Sequence, residues 1–543
     1  MYTIQEDTII FDPAFNDELN IELISNYKKL VFSNCKLKDF TMLPNFEDEI
    51  DLSDIDLISN YKKAFDLNIY NTFNQPVNLS SCELTHLIFG WDFNQSVDNL
   101  PCKLKYLVFG NTFNQPVNLL PQSITRLVFG FYFDQPIDNL PHELTHLKFD
   151  HQFNQSVSNL PQELQVLIFD YQFNKPINKL PQSIKELELG YKFNHSLNNL
   201  PSNLEKITFG YEFNKSVDNL PSTLVCIIFG NTFNKSVDNL PSNLKKLTFG
   251  HAFNKSVDNL PFTLEYLTFN HAFNKPVNKL PNTLKKLIFG VDFSQPIINF
   301  PHNLTHLTFG HNFNLLVENL PQTLSHLSFG HSFNQPIEKL PQTLRILIFG
   351  DTFNQPVEKL PQTLSHLIFG NCFNQPVKNL PNTLTYLELG YEFNHPANLP
   401  NSIEYLKLKS NNSNIINFLP NNIKELEIGC YFNLELNNLP CSIEKIIFDK
   451  YSMYEGELNN LPNSVKLIHL PKNYNKKIST IPTSLEKIIC FDKYSHIKDF
   501  DNFEVQTFSE ISIPHKQESI MYKIVCIYAK ISSFGDKFIN IFN

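Results

Sequence analysis

The 543-residue sequence predicts a right-handed solenoid in which every 20-residue rung contributes one short parallel β-strand. Three observations predict it. The unit L-P-x-x-L-x-x-L-x-F-G-x-x-F-N-x-P-V-x-N recurs without insertion, with Phe at all 17 places from Phe73 to Phe393 and Pro at all 15 from Pro101 to Pro381. A fixed period of 20 to 50 residues is the signature of stacked repeats. Each unit holds one alternating segment, L-x-x-L-x-F, in which Leu107 and Phe109 face one way while Tyr106 and Val108 face the other. The remainder is rich in proline, such as Pro356 and Pro361, which removes amide donors and opposes a helix, so the return path is extended or turn-like.

The elements follow in order along one rung. Strands that always run in one direction stack into a parallel sheet, with right-handed crossovers. The residue after the strand is Gly in 13 of 16 regular units, and the exceptions are Asp150, Asp170 and Asn270. These types tolerate positive φ, which predicts a left-handed turn leaving each strand. The next column is Phe, represented by Phe113, Phe353 and Phe373, which fills the interior with the leucines. Asn follows at 15 of 17 places, represented by Asn114, Asn354 and Asn374. Its amide has donors and acceptors, so a stacked column forms a hydrogen-bond ladder for backbone groups the turn leaves unpaired.

Four segments result: degenerate N-terminal repeats over 1–72, regular repeats over 73–399, degenerate repeats over 400–499, and a C-terminal cap over 500–543. "IIFDPAFNDELN" and "YKKLVFSN" near the start are weak units, and an acidic stretch, "NFEDEIDLSDID", spans 45–56. Ile520, Ile524, Ile527, Tyr528 and Ile531 have helical spacing, which predicts a capping helix over the open end of the core.

Bulk properties exclude several functions. A formal net charge of −10 without a basic stripe opposes nucleic-acid binding. The start lacks signal-peptide features, and no stretch is apolar for a membrane span, so the expected compartment is the cytoplasm. Nine scattered cysteines without a C-x-x-C pair suit reduced thiols. The sequons Asn214-Lys215-Ser216 and Asn234-Lys235-Ser236 fall on the ladder column, expected to be buried, and are discounted as glycosylation sites. There is no G-x-S-x-G, P-loop, H-E-x-x-H or G-x-G-x-x-G motif, so neither catalysis nor a cofactor is expected. In "LSHL" (324–327 and 364–367), alternation places Ser and His on opposite sides of the strand.

Recognition is therefore expected from the letters that vary. On the outward strand face these include His86, Tyr106, Arg126, His146, Lys206, Lys246, Tyr266, Lys286, His306, His326, His366 and Tyr386. Just past the turn runs a ring-rich column with Trp91, Phe131, Tyr171, Tyr191 and Tyr211, joined by His151, His251, His271, His311, His331 and Tyr391. Solvated aromatics are common binding anchors, and packing on one another is the alternative. His306 with His326, and His311 with His331, lie on adjacent rungs, but no Cys or carboxylate completes a zinc set in the sequence, so no metal is expected.

The L-x-x-L-x-F strand resembles the leucine-rich repeat, and the segments "FNQPV", "FNKPI" and "FNQPI" resemble the FNIP repeat family of slime moulds and giant DNA viruses, from about residue 9 to 494. The resemblance implies a leucine-rich-repeat-like right-handed solenoid and a protein–protein interaction scaffold with a concave binding surface. Several relatives carry an F-box before their repeats, which implies substrate recognition for a ubiquitin ligase. Here "MLPNFEDEIDL" (42–52) is only a faint echo of one. Carbohydrate or surface binding through the ring-bearing edge is a third expectation.

Overall fold

The computed structural model describes residues 2–12, 14–32, 71–337, 339–357 and 359–509. The acidic stretch 45–56, the F-box echo and the expected C-terminal helix lie outside them. The chain divides into two compact units, residues 1–250 and 251–543. Each is a parallel-strand solenoid with one short strand per rung, as the period predicts.

In the first unit β1 (Tyr2–Gln5) and β2 (Thr8–Phe11) form an antiparallel hairpin. Strand β1 thus pairs the outer edge of β2, an edge that would otherwise invite association. From β2 the strands run parallel through β3 (Lys29–Phe32), β4 (His86–Ile88) and β5 (Tyr106–Val108) to β12 (Lys246–Thr248). The second unit runs parallel from β13 (Tyr266–Thr268) to β25 (Glu504–Phe508). The register places consensus leucines opposite each other, Leu307 beside Leu327 and Leu347 beside Leu367. After residue 400 register persists although spacing does not: Leu387 pairs with Leu406, and Ile446 with Ile468. The return path absorbs the difference.

Among the described residues helix is limited to the single turns α1 (Ile21–Ile24) and α2 (Ser413–Ile416) and a short 3-10 turn at Ile497–Phe500. Among the described residues no helix is long and apolar enough to cross a membrane.

Two stacked phenylalanine columns fill the interior. Within a rung Phe349 and Phe353 lie face to face at 3.9 Å, and along the stack Phe353 meets Phe333 and Phe373 at 6.0 Å each. Beside them the asparagine column links successive rungs. Asn94 Oδ1 accepts from the amide of Asn114 at 2.9 Å, and Asn354 Oδ1 from that of Asn374 at 2.9 Å. Asp134 continues the chain of bonds, accepting from Asn154 at 2.9 Å. The column is half-buried to exposed, less enclosed than expected, because each amide sits at the rim of the phenylalanine core.

The glycine after each strand serves a different purpose from the one expected. No described glycine has a positive φ. Rungs instead approach so closely there that a Cβ on Gly350 would stand 1.9 Å from the carbonyl oxygen of Gly330. Left-handed backbone occurs on the return side, at Asn199, Asn319 and Asn379, just ahead of Leu-Pro. Two units with serine in place of the return-path proline have a local substitute: Ser216 Oγ bonds Asp218 at 2.5 Å and Ser236 Oγ bonds Asp238 at 2.6 Å, a serine turn at the bend that the proline ring holds elsewhere.

Phe32 at the end of β3 stacks on Phe73 at 4.3 Å, the relation that Phe89 has to Phe93 at 3.7 Å. One rung therefore joins β3 to the chain from residue 71 onward.

Candidate interaction surface

The varied letters occupy two places on each rung: the strand face turned away from the phenylalanines, and the edge where the chain leaves the strand. Strands about 4.8 Å apart set each outward side chain against its neighbours above and below. The strand-face residues are accordingly less free than expected. His86, Arg126, His146, Lys206 and Lys246 in the first unit are half-buried, as are Tyr266, Lys286, His306, His326 and His366 in the second. Tyr106 is 8% exposed and packs with Ile10, Val31, Ile88 and Val108; Tyr386 is 8% exposed and packs with Ile348 and Ile368. These two tyrosines are parts of small apolar patches.

Stacking continues along the face. His306 and His326 lie 4.0 Å apart and nearly parallel, and Tyr386 stacks on Tyr405 at 4.2 Å. Toward the C-terminal end the face becomes an ionic network that was not anticipated. Tyr405 donates to Glu427, Lys407 pairs with Glu427 at 2.5 Å, and Lys409 pairs with Glu388 at 2.6 Å.

The Ser/Thr-His dipeptides depart from simple alternation. Ser325 Oγ lies 2.7 Å from Nδ1 of His326 and 3.1 Å from the carbonyl of Thr305; Thr305 Oγ1 lies 2.9 Å from Nδ1 of His306 and 3.0 Å from the carbonyl of Lys285. The same clamp recurs at Thr85-His86, Thr145-His146 and Ser365-His366. The strand begins at the histidine, so the residue before it belongs to the turn and reaches its neighbour's ring. A hydroxyl placed between a backbone carbonyl and an imidazole orients the ring.

Burial holds the clamped rings neutral. His306 and His326 are pushed down to about 4 from 6.5, by burial first and then by nearby positive groups including Lys286. A histidine depressed on folding leaves stability intact above pH 6.5; as pH falls from 6.5 through 4, the unfolded chain takes up the proton first and stability is lost. The urea midpoint of the second unit should therefore fall across that window, and H306Q/H326Q should flatten the slope. An unchanged slope in the double variant would assign acid sensitivity elsewhere.

On the exit edge five rings of the first unit stack continuously. Phe131, His151, Tyr171, Tyr191 and Tyr211 follow one another at 4.3, 4.4, 4.5 and 4.6 Å. Trp91 stands half-buried on the same column. Ring faces within the ladder are covered by neighbouring rings, so edges and hydroxyls are what this column presents. In the second unit His311 and His331 are parallel at 4.6 Å, and Nδ1 of His331 lies 3.1 Å from Asp351 Oδ2. That carboxylate, one rung on, went unrecognised in the sequence because Asp351 stands in a column otherwise read for rings.

Comparison with known proteins agrees with this geometry. The family model described as FNIP Repeat matches ten segments, 113–152, 153–192, 193–232, 233–272, 257–292, 273–312, 293–332, 333–372, 373–411 and 411–451. Among solved structures the chain is similar to CroV588 of the giant virus CroV, described as a novel circular LRR protein structure. Identity is 29% and the TM-score 0.61, over 94% of this chain and 100% of that one. YopM from Yersinia enterocolitica matches at 20% identity and TM-score 0.42, over 72% of this chain and 88% of that one. InlJ from Listeria monocytogenes matches at 14% and 0.38, over 58% and 70% respectively. No curated protein matches.

Proposed function

The chain belongs to the FNIP repeat family, and from that premise we propose that it is a non-enzymatic scaffold that binds protein partners through its strand face and exit edge. Repeat solenoids of the leucine-rich type are generally protein-interaction scaffolds. One observation carries the finer reading: the columns that hold the rungs together repeat almost letter for letter, while the strand-face column runs from Glu186 through Lys206, Cys226 and Lys246 within four rungs. Uniform inner columns keep a backbone in place, and changing outer letters distinguish one stretch of surface from another. Carbohydrate binding is supported less, because the tyrosine faces a sugar ring would stack on are covered by other rings.

The test is affinity capture from the native cell with the wild type and two matched variants. The first replaces Lys286, His306, His326 and His366 with alanine on the strand face; the second replaces Lys275, Lys279, Ile298 and Glu318 on the return side, all exposed. The expected result is loss of the captured protein from the first variant alone, with both variants unfolding near the wild-type temperature. Loss from the second variant alone would move the binding surface to the return side.

A further inference from the structure

We infer that the strand face of the second unit, from β13 to β18 (His366–Ile368), binds a carboxylate-rich extended segment of a partner protein. The inference rests on the strand face being the binding surface and adds what it binds. Three outward columns cover this stretch: the two alternate strand positions and the turn residue just before them. They hold Lys285, Lys286, Arg345 and three histidines, and Glu265 is their single carboxylate. Glu265 is already engaged, 2.6 Å from Lys285. Lys286 and Arg345 thus stand in a locally cationic stretch of a chain whose formal net charge is −10. Arg345 is exposed and has no carboxylate partner among the described residues. One strand further on the stretch ends, where Glu388 pairs with Lys409 at 2.6 Å. The nearby carboxylates Asp292 and Asp351 belong to the exit edge, where they lie against His271 and His331.

Spacing favours an extended peptide that runs along the stack. Lys286 and Arg345 are three rungs apart in the register, about 14 Å at ~4.8 Å per strand. In an extended chain alternate side chains share one face and each residue advances about 3.3 Å, so carboxylates at i and i+4 are about 13 Å apart. Such a pair reaches both cations, and the carboxylate at i+2 falls over His306 and His326 between them.

Those two rings respond to it. Each clamping hydroxyl has one proton and gives it to a backbone carbonyl, Ser325 to Thr305 and Thr305 to Lys285, so toward the ring it accepts. The neutral imidazoles therefore carry their proton on Nδ1 and leave Nε2 bare. In the free protein burial keeps both rings neutral, helped by the positive charges of Lys286 and Arg345 and by the neighbouring His366. A carboxylate brought alongside favours the charged form, so binding takes up a proton at Nε2 and strengthens as pH falls.

The experiment follows the fluorescence anisotropy of a labelled twelve-residue peptide of alternating glutamate and serine as the full chain is added. Saturable binding is expected, and K286E or R345E should weaken it about tenfold or more, since like charges then face each other. Arg345 is exposed, so R345E keeps the test valid should K286E fail to fold. K275E/K279E, reversed on the exposed return side, should bind as the wild type does, and a peptide with glutamine for glutamate should not bind. Binding should be tighter at pH 6 than at pH 7.5, and H306Q/H326Q should still bind at pH 7.5 while losing that difference. Absence of binding by the wild type, equal weakening by the return-side reversals, or equal affinity for a twelve-residue oligothymidylate would each overturn the assignment. Strand-face-dependent capture of a cellular protein without binding of the acidic peptide would overturn the carboxylate chemistry and leave the strand face as the binding surface; loss of both would overturn both.

Discussion

Replacing Phe353 with alanine is expected to lower the unfolding free energy by about 3–5 kcal/mol. Phe353 is fully buried, lies face to face with Phe349, and is flanked by Phe333 and Phe373 in its own column. Removing it leaves a void that the neighbouring rings cannot close, since each is held by its own rung and that rung by strand pairing above and below. The cost is lost transfer free energy plus the cavity term. The control is Phe262→Ala: Phe262 is 75% exposed on the return side, so its loss should cost under about 0.5 kcal/mol, as surface changes usually do. Urea unfolding monitored by circular dichroism separates the two. Equal costs would mean that the ring column does not hold the rungs together.

The reasons Phe353 was legible in the sequence and other features were not are physical. An inner column of a stacked repeat meets the same surroundings on every rung, so one residue type recurs and reveals both the period and the interior. Asn354 and Asn374 follow the same logic, because each side chain must reach an amide one rung away. The glycine column was recognisable, but its cause was not: positive φ and close backbone approach both select glycine, and only the distance between Gly330 O and the missing Cβ of Gly350 separates them.

The surface was harder to read. Alternation correctly turns Leu327 inward, but it does not say where the strand begins, and the contact between Ser325 and His326 depends on that boundary. Likewise, Tyr106 and Tyr386 look like exposed anchors as single letters. Their burial comes from neighbours on other rungs, Ile10 and Val31 for the first, Ile348 and Ile368 for the second. The link from Phe32 to Phe73 was hidden for the same reason: spacing shows where the regular period starts, and only three-dimensional pairing shows that β3 belongs to it.

The largest expected effect concerns the period itself. Excision of residues 334–353 removes one rung and joins Phe333 to Asn354, recreating the Phe-Asn junction found at 15 of the 17 regular places. Both phenylalanine columns, the asparagine ladder and the strand register then continue with one member fewer, because each rung touches only its neighbours. Excision of residues 334–343 removes half a rung and joins Phe333 to Leu344. A strand segment then follows the core ring without its return path, the asparagine link is lost, and buried leucines are displaced from their column.

Thermal unfolding of the two deletion variants beside the wild type is the most direct measurement of whether the twenty-residue rung is the unit of folding. The 334–353 deletion should retain the β-rich circular dichroism spectrum and a cooperative transition within several degrees of the wild type, whereas the 334–343 deletion should lose both. Equal damage from the two deletions, or equal tolerance of both, would contradict a structure held together by interchangeable rungs in register.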